Sequence, residues 1–483
     1  MKPILRHVFF LSSLLIATFQ AFSSETAVSD KNGNEFELTD AMQKNNTLGA
    51  YFGYTQIDDK SFIGMRLQPD LHIGKAGIGL DIPVMFNTAT GEFRTDEYKD
   101  GIGWLRLINY LSWGEKKQDD LYVKIGDISG AYLGYGMLIN NYSNSISYEK
   151  RKVGFEADYC WKDVVGMEVV YSDLNLSSFN LLGLRPYVRP LGFTGIPIIK
   201  TWDIGLNLVT DHDNTAPMAA SDQSSSTNHF LGTGGGMNGY ALDMGITLLN
   251  IQPARLVVFG SGAMLAKNTC TNFKQALADS INTHANSAFA EKAGKYSNGY
   301  GISVGIDFRF KLLANLLRMD TRVERMWYTD NFIPQFFDYC YEVNKDARIM
   351  SLVSAEQKAG IYGDLGFSVI QKVRVSGSLM LPDHLDESNP ALIRLNLDAS
   401  NVIDKVILAG SYIKGGLTRW NDAFKLDDRS QMYVRAAYKV LPFVITGVDY
   451  RWSWATNSEG KFVPTSHWTP FVGLNLDLPF LDR

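Results

Sequence analysis

Apolar and polar side chains alternate strictly along residues 299–328. The first stretch sets Ile302, Val304, Ile306, Phe308 and Phe310 between Ser303, Gly305, Asp307, Arg309 and Lys311. The second sets Leu317, Met319, Thr321 and Val323 between Arg318, Asp320, Arg322 and Glu324. Successive side chains of a strand point to opposite faces, so each stretch has one apolar and one charged face. A row of charges of alternating sign is unusual for the polar face of a soluble sandwich. The pattern predicts a transmembrane β-barrel, apolar toward lipid and polar toward a lumen.

The N-terminus has the features of a secretory signal peptide. Lys2 and Arg6 precede a moderately apolar run from Val8 to Phe22, and small residues surround a cleavage point after Ser23. This run is too short to span a membrane as a helix. We therefore predict a signal peptide at 1–23, a short polar segment at 24–46 and a barrel at 47–483.

Composition narrows the function classes. The net charge is −5, which argues against a nucleic-acid partner. Aromatic residues make up 12% of the chain and suit the interfacial girdles of a barrel. Cys160, Cys270 and Cys340 are too few and too scattered for a disulfide framework. Their odd number leaves at least one thiol unpaired or paired with another chain.

Amphipathic segments follow one another almost without pause. The candidate strands are 47–57, 61–73, 76–87, 102–112, 120–129, 132–140, 150–160, 164–173, 178–189, 199–210, 238–248, 253–265, 299–311, 314–328, 350–362, 365–380, 390–400, 405–415, 430–440, 443–454 and 468–480. Neighbouring candidates can merge, and bacterial barrels have even strand numbers. The predicted fold is all-β: a single transmembrane antiparallel barrel of about 18 strands, within a range of 16–22.

The connections fall into two classes. Some are tight, such as 58–60 and 162–163, and are typical of hairpin turns on one rim. Others are long, including the Ser-, Gly- and Asn-rich stretch 211–237, and we expect these outside the cell. Within 272–290, Phe273, Leu277 and Ile281 recur every four residues and predict a short helix. The sequence does not decide whether this helix enters the lumen or caps the surface.

The alternation assigns charged side chains to the lumen. The pore-lining candidates are Arg106, Lys124, Asp307, Arg309, Lys311, Arg318, Asp320, Arg322, Glu324, Arg394, Asp398, Arg435, Asp449 and Arg451. Further lumen-facing candidates are Asp81, Glu156, Asp158, Asp203, Asp243, Arg374, Lys439 and Asp477. Acids and bases are equally numerous in this set, so no ring of one sign predicts strong ion selectivity. Such charges need water or partners, because an unpaired buried charge is costly.

The densest cluster lies on two successive strands. Arg309, Lys311, Arg318 and Arg322 are interleaved there with Asp307, Asp320 and Glu324. One interpretation is an ion-pair lattice that stiffens the wall. The other is a constriction that orients polar solutes in a transverse field.

Other motifs have ordinary explanations. Residues 185–190 (RPYVRP) are interpreted as a rim turn with interfacial Arg and Tyr, and 211–213 (DHD) as a solvated loop. Residues 301–305 match the letters of a G-x-S-x-G elbow but lie inside a strand. No His-Glu-x-x-His motif occurs. We expect no enzymatic activity, no metal site and no cofactor.

The final strand carries Val472, Leu474, Leu476, Leu478 and Phe480 on one face. It resembles the terminal strand that outer-membrane proteins present to the barrel-assembly machinery, although Leu481, Asp482 and Arg483 follow its aromatic residue. With the signal peptide, the strand rhythm and the asymmetric loops, the chain resembles bacterial outer-membrane porin-like β-barrels over nearly all of 47–480. This resemblance implies the outer membrane of a diderm bacterium, contact with its lipid, passive passage of small polar solutes and often a homo-oligomer.

Three hypotheses follow. The first is a passive channel for small polar solutes through a charged lumen. The second is a hydrophobic-compound transporter of the fatty-acid type, whose family has an N-terminal hatch with an Asn-Pro-Ala motif. That motif is absent from 24–46, and the same letters at 389–391 are interpreted as a turn. The third is a non-transporting surface or scaffold barrel.

Overall fold

A computed structural model describes residues 46–478, except 58–59, 96–97, 99–103, 118, 145–151, 175–178, 213–235, 252, 284–287, 313–315, 340, 343–344, 371–372, 387–389, 400–404, 428 and 457–461. The predicted signal peptide and all but the last residue of the polar segment lie outside the described residues, as does Cys340. Cys160 and Cys270 are both free thiols.

Antiparallel strands make up most of the described chain. They are β1 (Thr47–Ile57), β2 (Lys60–Ile73), β3 (Ala76–Leu80), β4 (Ile82–Asn87), β5 (Ile108–Trp113), β6 (Leu121–Gly126), β7 (Ser129–Ala131), β8 (Tyr142–Ser143), β9 (Gly154–Trp161), β10 (Val165–Tyr171), β11 (Phe179–Val188), β12 (Asp203–His212), β13 (Met237–Asn250), β14 (Ala254–Leu265), β15 (Gly299–Leu312), β16 (Leu317–Tyr328), β17 (Lys358–Val369), β18 (Val373–Pro382), β19 (Ala391–Asp398), β20 (Val406–Leu417), β21 (Ser430–Leu441), β22 (Val444–Thr456) and β23 (Phe462–Asp477).

Among the described residues, three α-helices accompany the strands: α1 (Thr271–Thr283), α2 (Ala288–Gly294) and α3 (Lys345–Ser354). None of the helices in the described ranges is long and apolar enough to cross a membrane. Helix α1 confirms the short helix predicted within 272–290. It packs through Phe273, which is buried, onto a cluster formed by several loops.

The large sheet closes on itself. Along the wall each strand pairs with the next one, with β3 followed by β5 and β6 followed by β9, and β1 pairs with both β2 and β23. Strands β7 and β8 form a separate two-stranded sheet. Strand β2 pairs with β3 through Asp70–Ile73 and with β4 through Phe62–Leu67, so β3 and β4 are two segments of one strand. The described barrel therefore has 20 strands with one extra segment, and the expected number of about 18 was wrong. The count is higher because almost every amphipathic candidate forms its own wall strand.

The wall has the polarity predicted from the alternation. In β15, Ile302 and Val304 are 59% and 56% exposed, whereas Ser303 and Arg309 on the opposite face of the strand are 2% and 6% exposed. Leu242 on β13 and Val472 on β23 are likewise exposed. An exposed apolar face around a closed sheet, with polar side chains turned inward, is the arrangement expected of a barrel surrounded by lipid.

This polarity gives a direct stability prediction. Val304→Lys places a charge in the middle of the exposed face of β15 and should cost about 2–4 kcal/mol of unfolding free energy in a bilayer. Ser411→Lys is the matched control, since Ser411 pairs with the lumen-facing Asn396. Urea unfolding in lipid vesicles compares the two variants, and equal losses would contradict the assignment of faces.

The two rims carry different connections. The turn rim holds 74–75, 114–120, 162–164, 189–202, 251–253, 313–316, 370–372, 399–405 and 442–443. The loop rim holds 58–59, 88–107, 127–153, 172–178, 213–236, 266–298, 329–357, 383–390, 418–429 and 457–461. The start of β1 and the end of β23 lie on the turn rim. Long connections are thus concentrated on one side, with 189–202 the longest on the other.

Three loop-rim connections pack together inside the barrel. They are 127–153, 266–298 and 329–357, and they bury a common apolar cluster that we call the plug core. Its loop residues include Ile128, Leu133, Met137, Leu138, Ile139, Tyr142, Phe273, Tyr296, Phe332, Phe336, Phe337, Tyr341, Ile349, Leu352 and Val353. Its wall residues include Val170, Leu181, Val209, Met237, Leu265, Met326, Tyr328, Tyr362 and Met380. The plug core therefore lines β10–β14 and β16–β18 near the loop rim.

Three of the predicted strands do not have the predicted bounds or structure. Candidate 132–140 is not a wall strand, because its apolar residues Leu133 and Met137–Ile139 are buried in the plug core. Candidate 102–112 begins too early, so Arg106 precedes β5 and is not on a strand. Candidate 350–362 overlaps α3, whose buried Ile349 and Val353 give one apolar helical face. Apolar segments of this length fit a strand or a helix equally well from sequence.

Candidate functional site

Residues 127–144 cross the lumen, and we call them the inserted segment. They leave β6 and return toward β9, yet they contact the wall from β10 to β19. The Gly134 N–H donates to Glu168 on β10 (3.0 Å), and Tyr135 Oη donates to Asp203 on β12 (2.7 Å). The Tyr135 ring stacks on Phe259 of β14, with centroids 4.7 Å apart. The inserted segment therefore narrows the bore at this height.

Contacts on the far wall hold the inserted segment in place. Arg322 on β16 donates to the backbone oxygen of Tyr135, and Arg394 on β19 donates to Asn141 Oδ1. Asn141 Nδ2 also donates to Tyr362 Oη on β17 (3.2 Å). At Gly134 (φ +59°) an added Cβ would lie 2.1 Å from Asp243 Oδ2. Both the left-handed backbone and the close approach require glycine there.

Arg185 is the centre of a buried ion network under the inserted segment. The side chain of Arg185 is 1% exposed. Its Nη1 donates to Glu168 (2.7 Å), its Nη2 to Asp203 (2.9 Å) and both Nε and Nη2 to Asp243 (3.0 and 2.5 Å). One guanidinium thus joins three carboxylates from β10, β12 and β13. The interpretation of 185–190 as a rim turn was wrong for Arg185, which lies on β11 and faces the lumen.

Lysines of the 114–120 connection extend this network. Lys116 Nζ donates to Glu156 (2.5 Å), and both side chains are almost fully buried. Lys117 pairs with Glu168 and lies 3.6 Å from Asp158. A network with this many satisfied partners stiffens the β9–β13 side of the barrel.

The charge cluster predicted on β15 and β16 is an interlocked lattice. Asp320 Oδ1 accepts from Arg309 Nε (2.6 Å) and Asp320 Oδ2 from Arg318 Nε (2.6 Å). Arg322 pairs with Glu324 (2.6 Å), which is fully buried. The described residues of this cluster pair with one another along the wall. One of them, Arg322, also contacts the inserted segment directly.

The other predicted pore-lining residues are spread around the barrel. Arg435 and Asp449 form a bidentate pair across β21 and β22, with both bonds at 2.8 Å. Arg451 lies over the Tyr433 ring. Lys124 and Asp398 are buried on β6 and β19, while Lys311 is half-buried near the turn rim. The structure thus brings Asp307, Arg309, Asp320, Arg322 and Arg394 to one cavity and leaves the rest apart.

That cavity lies between the inserted segment and the wall strands β15–β19, with a volume of about 100 Å³. Its charged lining residues are Asp307, Arg309, Asp320, Arg322, Asp364 and Arg394. Its neutral polar lining includes Tyr132, Asn140, Asn141, Tyr362, Ser376, Ser378 and Asn396.

Buried ion pairs also lock the plug core. Glu342 accepts from Tyr142 Oη (2.5 Å) and Lys152 Nζ (2.7 Å), which ties the connection 329–357 to the connection 127–153. Asp211 at the end of β12 accepts from Tyr341 Oη (2.6 Å) and pairs with Lys345 (3.0 Å). The predicted solvated loop at 211–213 was therefore wrong for Asp211, which is fully buried; Asp213 lies outside the described residues.

The pKa of Glu342 makes this lock pH-dependent. Burial raises the pKa, but Lys345 and Lys152 outweigh burial and hold it at about 2, below the model-compound value of 4.5. A carboxylate with a lowered folded-state pKa contributes stability above its unfolded value and loses it as the pH falls. We expect the packing of 329–357 to be constant above pH 5 and to weaken between about pH 4.5 and 2. Hydrogen exchange of α3 against pH measures this.

Glu342→Gln is the variant that tests the lock. It should remove most of this pH dependence, whereas Glu291→Gln, at an exposed position of α2, should retain it. A pH profile of α3 exchange that is the same in all three proteins would contradict the assignment.

Sequence reasoning missed several residues of this region. Glu168, Arg185 and Asp364 lie on the lumen faces of β10, β11 and β17, where the same alternation could have placed them. Tyr135 and Asn141 could not be found in that way, because a lumen-crossing segment has no strand period.

The outer wall is apolar, the inner wall is charged, the sheet is closed and a loop crosses the lumen. The chain has the architecture of a transmembrane-type β-barrel with a loop folded into its lumen. No protein-family model matches the sequence, and no curated protein sequence matches it.

Solved β-barrels align with most of this chain at low identity and with TM-scores near 0.3. OccD3 (OpdP) of Pseudomonas aeruginosa is 11% identical, with a TM-score of 0.30, over 90% of this chain and 91% of that chain. OpdQ of the same organism is 8% identical, with a TM-score of 0.32, over 90% and 97%. OccAB4 of Acinetobacter baumannii is 9% identical, with a TM-score of 0.32, over 91% and 100%. At these values the likeness says nothing about the function of this chain.

Proposed function

We propose that this chain is an outer-membrane channel for passive diffusion of small polar solutes through a charged lumen. The observation that carries the proposal is the position of the plug core on one side of the bore. Among the described residues, no buried member of the plug core comes from β20–β23 or β1–β6. The inner faces of β21–β23 carry the charged residues Arg435, Asp449 and Arg451 beside a small apolar cluster of Ala437, Ile445 and Phe471, so charged groups would line part of a passage beside the plug core.

Side chains on that open side support a wet route. Arg435 is paired with Asp449 yet its side chain is 23% exposed. Ser411 on β20 and Arg451 on β22 are also half-buried rather than enclosed. Tyr110 on β5 donates to Asp70 on β2. Both charge signs occur along this side, which favours weak ion selectivity.

The plug core and the ion pairs also bear on the two other hypotheses, the hydrophobic-compound transporter and the scaffold barrel. A hydrophobic-compound transporter needs a continuous apolar route, but the apolar lining here is filled by the side chains of the plug core, most of them fully buried. The interlocked pairs around Arg185 and Asp320 favour the second candidate, a non-transporting surface or scaffold barrel. Conductance separates this candidate from the channel.

The proposed membrane location follows from the apolar outer face of the barrel. The apolar outer face would contact outer-membrane lipid of a diderm bacterium, and the barrel-assembly machinery would insert it with the loop rim outside. We propose no catalytic role and no cofactor, and a homo-oligomer would form through the outer wall.

Swelling of liposomes that contain the refolded protein tests the function. Small neutral solutes should enter quickly, and the rate should fall steeply with solute size because the inserted segment narrows the bore. Protein-free liposomes are the control. Swelling no faster than this control, with protein shown to be folded, would favour the scaffold barrel.

A further inference from the structure

One row of lumen-facing side chains crosses five neighbouring strands. In the strand register Asp307 lies opposite Arg322, Arg322 opposite Asp364, Asp364 opposite Ser378 and Ser378 opposite Arg394. All five line the cavity beside the inserted segment. The row therefore presents negative, positive, negative, neutral and positive groups in order along one wall of an enclosed polar space.

The members of the row differ in how far their charges are satisfied. Arg322 forms an ion pair with Glu324 and donates a hydrogen bond to the backbone oxygen of Tyr135. Among the described residues, neither Asp307, Asp364 nor Arg394 forms an ion pair within 4.0 Å. Asp364 accepts one hydrogen bond, from Tyr362 Oη (3.3 Å), and Arg394 donates to the neutral Asn141.

Ser378 lies between the two groups of opposite charge. Its side chain is 3% exposed, and its hydroxyl has no hydrogen-bond partner among the described residues. The Nε of Arg394 is also without a partner in the described part of the chain. Buried polar groups without partners cost free energy, and a ligand that supplies the partners recovers it.

We propose that this cavity is a recognition site for a small zwitterion carrying one carboxylate and one ammonium group. The carboxylate is held by Arg394 and the Ser378 hydroxyl, and the ammonium group by Asp364. Two strand spacings separate Asp364 from Arg394, about 10 Å between Cα atoms, and the side chains reach inward to shorten this gap. A single anion would leave Asp364 unpaired, and a single cation would leave Arg394 unpaired, so a ligand with both charges fits best.

The site deepens the proposed function, since a channel that holds a zwitterion beside its constriction favours that class of solute. Binding itself does not depend on transport. The two claims therefore fail separately: binding without conductance would overturn the channel and leave the site, whereas conductance without selective binding would overturn the site and leave the channel.

Titration calorimetry of the folded protein in detergent, with alanine as probe, tests the site. Alanine should bind at least about tenfold more tightly than lactate or ethylammonium, because each lacks one charge-assisted contact. Arg394→Gln and Asp364→Asn should each weaken alanine binding about tenfold or more. Arg451→Gln, on β22 outside the cavity lining, is the matched control and should bind as the parent does.

Arg394→Gln also removes the hydrogen bond to Asn141, so Asp364→Asn serves as a second, nearly isosteric variant. Heat-modifiable gel migration checks that each variant is folded. Equal affinity for alanine, lactate and ethylammonium would overturn the proposal. So would the absence of alanine binding to folded parent protein, or unchanged binding by folded Asp364→Asn.

Discussion

Replacing Arg185 with alanine should lower the free energy of unfolding by about 3–5 kcal/mol, because it leaves the buried carboxylates of Asp203 and Asp243 without their cation and Glu168 with Lys117 alone. Glu168, Asp203 and Asp243 come from three different strands and all accept from this one guanidinium. The loss should also loosen the inserted segment, since Glu168 and Asp203 are the acceptors of Gly134 and Tyr135.

Arg325→Ala is the matched control for this experiment. Arg325 also makes a two-bond contact with a carboxylate, Asp383, but their side chains are 35% and 40% exposed. Such a pair contributes about 0–1 kcal/mol. Denaturant unfolding in lipid vesicles measures both variants. A loss for Arg185→Ala no larger than that for Arg325→Ala would show that the network does not hold the barrel together.

Replacing 130–141 with a short Gly-Ser linker should raise single-channel conductance severalfold. These residues span from β6 across to β19, and their removal takes Tyr135 and Asn141 out of the bore. A wider polar cross-section carries more ions because conductance follows pore diameter and lining.

Tyr135→Ala should give a smaller increase in the same direction. Tyr240→Ala, which removes an exposed tyrosine of similar size from the outer face of β13, should leave the conductance unchanged. Gel migration and far-UV circular dichroism confirm that each variant is folded. A folded deletion variant with the parent conductance would mean that the inserted segment does not limit the passage.

The barrel wall could be predicted from the sequence because its physical rule is local. A strand that separates lipid from water must alternate, so the bounds of β1, β14 and β21 and the faces of β15 and β16 follow from residue type alone. The lumen was less predictable. Residues 132–140 are apolar at close to a strand period, yet they fill the bore.

The candidate site depends on contacts that alternation does not specify. Alternation places Asp364 and Arg394 on the inner face but does not say that Ser378 separates them or that Asn141 reaches them. Asn141 and Arg394 are far apart in sequence, and only the strand register and the path of the inserted segment bring them together. Arg185 was assigned to a rim turn with interfacial Arg and Tyr, although β11 continues through Pro186 to Val188.

Modification of an inner-wall cysteine during single-channel recording tests the polar passage most directly. In protein whose three native cysteines are replaced by serine, Ser411→Cys places a thiol on the inner face of β20, and Leu408→Cys places one on its exposed outer face. A charged, water-soluble thiol reagent should reduce the current steps of Ser411→Cys at once and leave those of Leu408→Cys unchanged. Folded protein that gives no steps, or steps that the reagent leaves unaltered in Ser411→Cys, would contradict a water-filled passage beside the plug core.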